Sequence, residues 1–296
     1  MNEQRLTLLA LLATAFIYMA ESAVVQEAVR QALALCAASV IPAIFPFLVI
    51  SSMLVSCGFG RRGSKIMEDL FRLPKCAASA LVLGFAAGYP IGAGTAAELY
   101  RQGELSKEEA SRLLAFCSNA NPVFLVTVLG REVFRSARTG LWLWLIHVSA
   151  ALLTGLLLRG SKEVRTAHPL PRTKQAESTP FLFVESVRKS AWNCLAICAF
   201  VTVFYVLSRP LAALGGAVGA LLTGLTELFS LLPSLSGGGT GFVVAAVCTG
   251  FGGISVLCQT AAVLEGSGLS LRWYITGKLI QSLLSGILAA VIWQWI

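Results

Sequence analysis

Residues 77–100 read AASALVLGFAAGYPIGAGTAAELY. The stretch is apolar enough to enter a bilayer, but Gly84, Gly88, Pro90, Gly92 and Gly94 interrupt it. Each arm flanking Gly88-Tyr89-Pro90 has about ten residues, too few for a helix to cross a hydrocarbon core of about 30 Å. The sequence therefore predicts a re-entrant hairpin: one half-helix in, a turn at depth, one half-helix out. Glycines at such a tip let the backbone approach a ligand closely.

A second stretch has the same character. Residues 242–265 read FVVAAVCTGFGGISVLCQTAAVLE, with a glycine cluster from Gly250 to Gly253. Gly84-Phe85, Thr95 to Leu99 and Leu105-Ser106 match Gly250-Phe251, Thr260 to Leu264 and Leu269-Ser270 at offsets of 164–166 residues. Upstream, Asp69-Leu70-Phe71 before Pro74 corresponds to Glu227-Leu228-Phe229 before Pro233. Order, spacing and element type agree, which marks an internal repeat.

Composition sets the environment. Of 296 residues, 56% are hydrophobic and 13% charged, and mean hydropathy is +0.76. A soluble domain has about 25% charged residues. Soluble enzymes, nucleic-acid binders and disordered chains are disfavoured. The net charge of +8 fits Lys and Arg retained in cytoplasmic loops. Residues 58–76 hold five Lys/Arg and 159–189 hold seven against three acids, so both are expected in the cytoplasm. Segment 210–271 has no Lys or Arg and is assigned to the opposite face. The hairpins then enter from opposite sides, which makes the repeats inverted. Arg131, Arg135 and Arg138 fall against this rule, with Glu132 offsetting part of their charge.

Other segments complete the outline. Residues 6–20 form an apolar first helix; Ala20-Glu21-Ser22 weakly imitates a signal-peptidase site, and an uncleaved helix is the preferred reading. Pro42 and Pro46 should kink the run 31–57. Ile66, Leu70 and Leu73 recur at helical spacing among charges, as in a helix lying on the membrane surface. Ser106 and Glu109 form a capping box. Ser118-Asn119-Ala120-Asn121-Pro122 should break the helix that follows. Four domains are expected: a first transmembrane helix (1–30), a first repeat (31–158), a basic linker (159–189) and a second repeat (190–296).

The chemistry-bearing residues are few. The eight cysteines form no C-x-x-C pair and read as small buried hydrophobes. His147 and His168 lie in unrelated segments, so a catalytic triad or His-based metal site is not expected, nor is an enzyme. Candidate substrate contacts are Gly88, Gly92 and Thr95 on the first hairpin, and Ser118, Asn119 and Asn121 at the break, where unwound backbone is tolerated if it lines a cavity. Ser255 and Gln259 follow the second glycine cluster. Lys278 and Gln281 share a face of the last helix with Ser282 and Ser285. Glu98 and Glu227 are coupling-ion candidates, because carboxylates inside apolar segments are costly and usually functional. Competing readings are packing for the glycines, a satisfied kink for the asparagines, snorkelling for Lys278, a cap toward Arg101 or Arg112 for Glu98, and a structural hydrogen bond for Glu227.

Several motifs carry a resemblance: Ile44-Phe45-Pro46-Phe47, Gly88-Tyr89-Pro90-Ile91-Gly92-Ala93, Phe116 to Asn121 with Pro122-Val123-Phe124, Gly224-Leu225-Thr226-Glu227, and Phe251 to Val256 with Gln259. On these, covering residues 39–285, the chain resembles the YlbJ (SpoVV) family of sporulation integral membrane proteins, within the nucleoside-recognition Gate domain group. The resemblance implies a fold like the concentrative nucleoside transporters, with a surface helix before each hairpin, here 61–75 and 219–233. It implies a role in sporulation, linked to moving dipicolinic acid across the outer forespore membrane. It also implies a basic residue at Lys278, suited to a dicarboxylate.

The resulting expectation is an all-α polytopic membrane protein of two inverted repeats. Each repeat has an interfacial helix, a re-entrant helical hairpin and a broken transmembrane helix. The expected function is secondary transport of a small anionic metabolite, dipicolinate above all. The alternatives are a Gate-type nucleoside or metal-ion permease, and a membrane scaffold of a sporulation complex. Expected partners are the anion, a coupling proton or sodium ion, membrane lipid and further copies of the chain; no cofactor, metal or nucleic acid is expected.

Overall fold

A computed structural model describes residues 3–57, 63–160, 179–235 and 237–296. These residues form thirteen α-helices joined by turns and by short π and 3-10 segments, with no strand among them. α1 (Glu3–Ala20) and α2 (Ser22–Leu35) lead through a π turn at Cys36–Val40 into α3 (Ile41–Ser56). The expected proline kink takes the form of this widened turn. The Pro42 ring would press on the carbonyl four residues back, and the wider winding just upstream relieves the contact. The run from Ser22 to Leu54 is therefore one span that starts earlier than position 31.

α4 (Lys65–Phe71) is capped by Ser64, whose hydroxyl accepts from Ile66 N at 3.3 Å. Its phase differs from the expected one. Met67 and Phe71 face the protein, while Ile66 and Leu70 point outward. Phe71 stacks on Phe116 with ring centroids 5.0 Å apart, and that aromatic contact sets the inward face.

α5 (Ala77–Ala87) and α6 (Ile91–Arg101) pack against each other around a turn at Gly88, whose φ of 88° suits glycine. The chain returns to its starting end, where Cys76 Sγ lies 3.7 Å from Glu104 O. Both arms close on the same atom. A Cβ on Gly84 or Gly92 would sit 1.7 or 1.9 Å from the Cys117 carbonyl oxygen. That oxygen marks the end of α7 (Lys107–Leu114), whose capping box between Ser106 and Glu109 is as expected. After a break at 115–121 come a π helix at Phe124–Val133 and α8 (Ala137–Leu157).

Of the expected basic linker, residues 161–178 lie outside the described residues, and 179–189 open the long α9 (Thr179–Ala212). α10 (Gly216–Thr226) and a 3-10 turn at Phe229–Ser234 follow. They replace the surface helix expected at 219–233. The segment carries no cation and has little polar surface to offer a headgroup region. Leu231 is fully buried and Phe229 packs edge-on against Phe124 at 4.8 Å.

The second glycine-rich stretch also departs from expectation. α11 (Gly239–Phe251) and α12 (Gly253–Leu264) meet at Gly252 and Gly253, with φ of 91° and 90°. They do not fold back on each other. α11 packs on α8, α10 and α13, whereas α12 packs on α6, α9 and α10. Arg101 donates to the Glu265 carbonyl at the far end of α12, while the start of α11 touches Trp293 at the end of α13. The stretch therefore crosses as a broken helix rather than returning as a hairpin. Two adjacent left-handed glycines offset the helix axis, and nothing there reverses it as Gly88-Tyr89-Pro90 does. The last helix, α13 (Leu271–Ile292), runs unbroken.

Five segments are long and apolar enough to cross a membrane: Ser22–Leu54, Ala137–Leu157, Pro180–Ala212, Gly239–Leu264 and Leu271–Trp295. Leu153, Leu195, Val203, Leu279, Leu283 and Ile287 point outward along them, as lipid-facing surface requires. The chain is a multi-pass integral membrane protein. Two apolar clusters hold it together. One joins α3, the π helix at 124–133, α8, α9 and α11; the other joins α4 to α7 with Tyr274. Cys117 belongs to the second and Ala120 to the first, so the break after α7 lies at their seam.

Gly84→Ala and Gly92→Ala should each cost about 1–3 kcal/mol through overpacking against the Cys117 carbonyl. The check is a fall in thermal midpoint of the detergent-solubilised protein. Gly94→Ala should be tolerated, because the nearest atom to its Cβ is Val263 Cβ at 4.0 Å.

Candidate functional site

The break after α7 strips several residues of helical hydrogen bonds in the buried interior. Ser118 and Asn119 are fully buried and Asn121 nearly so. Side chains from α8 and α13, and from the break itself, take up the freed groups. Asn121 Oδ1 accepts from Phe124 N at 2.7 Å and restarts the helix, while its Nδ2 donates to Ala43 O at 3.4 Å. Asn119 Nδ2 donates to Phe116 O at 2.8 Å. Ala120 N donates to His147 Nε2 at 3.1 Å. That contact puts the ring proton on Nδ1, which is buried without a partner.

Lys278 reaches the break from α13. Its ammonium donates to Ser118 O and, at 2.7 Å, to Gln281 Oε1. Gln281 Nε2 donates in turn to Asn119 Oδ1 at 3.0 Å and lies 3.5 Å from His147. Lys278 is 1% exposed, yet no carboxylate pairs with it among the described residues. Its charge is balanced only by dipoles and ring faces, 5.1 Å from the centroid of Tyr89 and 5.9 Å from that of Tyr274. Ser118 Oγ, Thr260 Oγ1 and Tyr274 OH are buried together nearby. The region holds an unpaired positive charge among buried hydroxyls.

On the other side of Tyr89 is a cavity of about 40 Å³ lined by Gly88, Asn121, Glu227 and Gln259. It has room for a few waters or one ion. Glu227 is 1% exposed. Its Oε2 accepts from Ser230 N at 2.6 Å and from Ser230 Oγ at 2.9 Å, and no cation pairs with it among the described residues. Gln259 also donates to Ser255 Oγ at 3.3 Å, and Tyr89 OH donates to Thr249 O at 2.7 Å.

The residues singled out from the sequence thus fall into three places. Ser118, Asn119, Lys278 and Gln281 form one buried network. Gly88, Asn121, Gln259 and Glu227 line the small cavity, with Ser255 behind Gln259. Thr95 and Glu98 lie elsewhere, along a groove on the outer face of α6. Thr95 bonds back to Ile91 O at 2.9 Å. Glu98 is half-exposed, 3.7 Å from Arg101, and accepts from Gln102 at 2.6 Å. Gly92 serves the contact with Cys117 described above. His147, Tyr89 and Tyr274 were not among the singled-out residues. His147 had a signal, as the lone ionisable residue in the interior of an apolar span; the two tyrosines had none, because only their neighbours give them a role.

Lys278→Met should melt no lower than the parent protein. It removes an unpaired buried charge, whose burial costs more than the carbonyl and amide oxygens left without a donor. A midpoint depressed by an amount typical of core disruption would instead make Lys278 a structural strut.

No protein-family profile matches the chain. No solved structure matches it either. Among curated proteins, it is similar to the sporulation integral membrane protein YlbJ of Bacillus subtilis (strain 168), with 26% identity covering 90% of this chain and 77% of that protein. A match along nearly the whole chain bears out the resemblance to the YlbJ family carried by the hairpin, break and glycine motifs.

Proposed function

We propose that this protein is a secondary transporter of a small anionic metabolite, dipicolinate crossing the outer forespore membrane during sporulation. The observation that carries the reading is Lys278: a buried ammonium with no carboxylate partner among the described residues, beside a group of buried hydroxyls. A dianion supplies what such a place is missing, since each carboxylate brings acceptors and negative charge. The relative's name adds sporulation and an integral membrane location, and says nothing of cargo.

In this reading α5–α6 is a re-entrant hairpin, while α11–α12 crosses fully. A pyridine dicarboxylate does not fit a cavity of about 40 Å³, so loading requires the Gly88-Tyr89-Pro90 tip to move away from Glu227 and Gln259. Alternating access then consists of that displacement on either side of the central network. Glu227, facing the same cavity, takes the coupling proton or sodium ion.

A second reading is a nucleoside permease. It is favoured by the neutral hydrogen-bonding groups of Asn119, Asn121, Ser255, Gln259 and Gln281 gathered in the same interior.

Uptake into proteoliposomes decides between them. Labelled dipicolinate should accumulate and uridine should not, and Lys278→Gln should lower dipicolinate uptake by at least about tenfold, the loss of one interaction with a charged group. Uridine uptake alone would overturn the first reading in favour of the second. Glu227→Gln should leave downhill dipicolinate exchange intact while abolishing accumulation driven by an ion gradient. Accumulation that survives in this variant removes Glu227 from the coupling role.

A further inference from the structure

The outer face of α6 borders a groove of about 270 Å³ that the central network does not use. It approaches the size of ordinary small-molecule pockets, about 300 Å³ and upward. On one side run Pro90, Gly94 and Glu98, one helical face from the hairpin tip to the end of α6. On the other are Ser51 and Ser52 of α3 and Lys189, Ser190 and Asn193 of α9.

The charges in it can be accounted for one by one. Glu98 is held by Arg101 and Gln102. Arg188, next to Lys189, pairs with Glu185 on the exposed side of α9. Lys189 makes no ion pair or hydrogen bond among the described residues, nor do the side chains of Ser51, Ser190 and Asn193 make one. Ser51 and Ser190 are both buried and line the groove. The groove thus offers one free ammonium and several free hydrogen-bond donors, and its own carboxylate is already neutralised.

Position adds to this. The hairpin tip separates the groove from the inner cavity: Pro90 and Ile91 line the groove, Gly88 and Tyr89 the cavity. We infer that the groove is a separate binding site for a small soluble dicarboxylate, in which Lys189 receives one carboxylate and Ser51, Ser190 and Asn193 the other, and that it loads the path behind the tip. The cargo assignment rests on the transport reading above; the existence of the site does not.

Two measurements test it. In proteoliposomes, Lys189→Gln should raise KM for dipicolinate about tenfold, as expected for one lost charge-assisted contact, while kcat stays near the parent value. Lys189→Arg should restore most of the affinity. A parent protein that transports dipicolinate while Lys189→Gln leaves KM unchanged overturns the groove and spares the transporter. If the parent protein transports no dipicolinate, the transport reading falls, and the groove is decided by protection. Alkylation of a Ser52→Cys variant in detergent, counted above the parent's own thiols, should slow in millimolar pyridine-2,6-dicarboxylate or succinate. No slowing by either, or slowing only by an anionic phospholipid, overturns the dicarboxylate site.

Discussion

The structure depends on one interrupted helix. Between Phe116 and Asn121 the backbone leaves the α-helical path at a fully buried seam, where an unmet N–H or C=O would cost several kcal/mol in hydrocarbon. Several interior polar side chains answer that demand. His147 accepts the Ala120 N–H, Asn121 restarts the chain at Phe124, and Lys278 with Gln281 braces Ser118 and Asn119 from the opposite helix. The two apolar clusters meet there, so packing alone does not hold the seam. The break and the site are the same object.

The division of labour among the glycines follows from that geometry. Gly84, Gly92 and Gly277 let helices close onto backbone oxygens of the segment after α7, while Gly88, Gly252 and Gly253 supply backbone angles that other residues adopt at a cost. Only Gly88 also lines a cavity. Glycine in the apolar core thus serves helix approach, as in membrane bundles generally, as well as turning the backbone.

The elements legible in advance were those with a local cause. The capping box at Ser106 and Glu109, the break at Ser118–Pro122 and the turn at Gly88-Tyr89-Pro90 each have it within a few residues. The mistaken elements depended on distant partners. Gly250 to Gly253 signals an interruption, yet whether the chain reverses or continues is decided by what α12 finds to pack on, namely α6 and α9. The surface helix at 219–233 came from the family resemblance, but the segment carries no cation, and its Phe229 packs against Phe124. In the site, intramembrane Lys278 and Glu227 stood out against apolar neighbours, whereas Glu98 did too and proved to be an exposed, paired carboxylate. Residue type in an apolar run indicates that a charge needs explaining; its depth depends on where the helix ends.

The grip of α5 and α6 on the Cys117 carbonyl has a mechanical meaning. The slot accepts one register: sliding either arm by a residue would bring Leu83, Phe85, Ile91 or Ala93 onto the oxygen in place of glycine. The hairpin and the end of α7 are keyed together, like a tongue in a slot cut to one length.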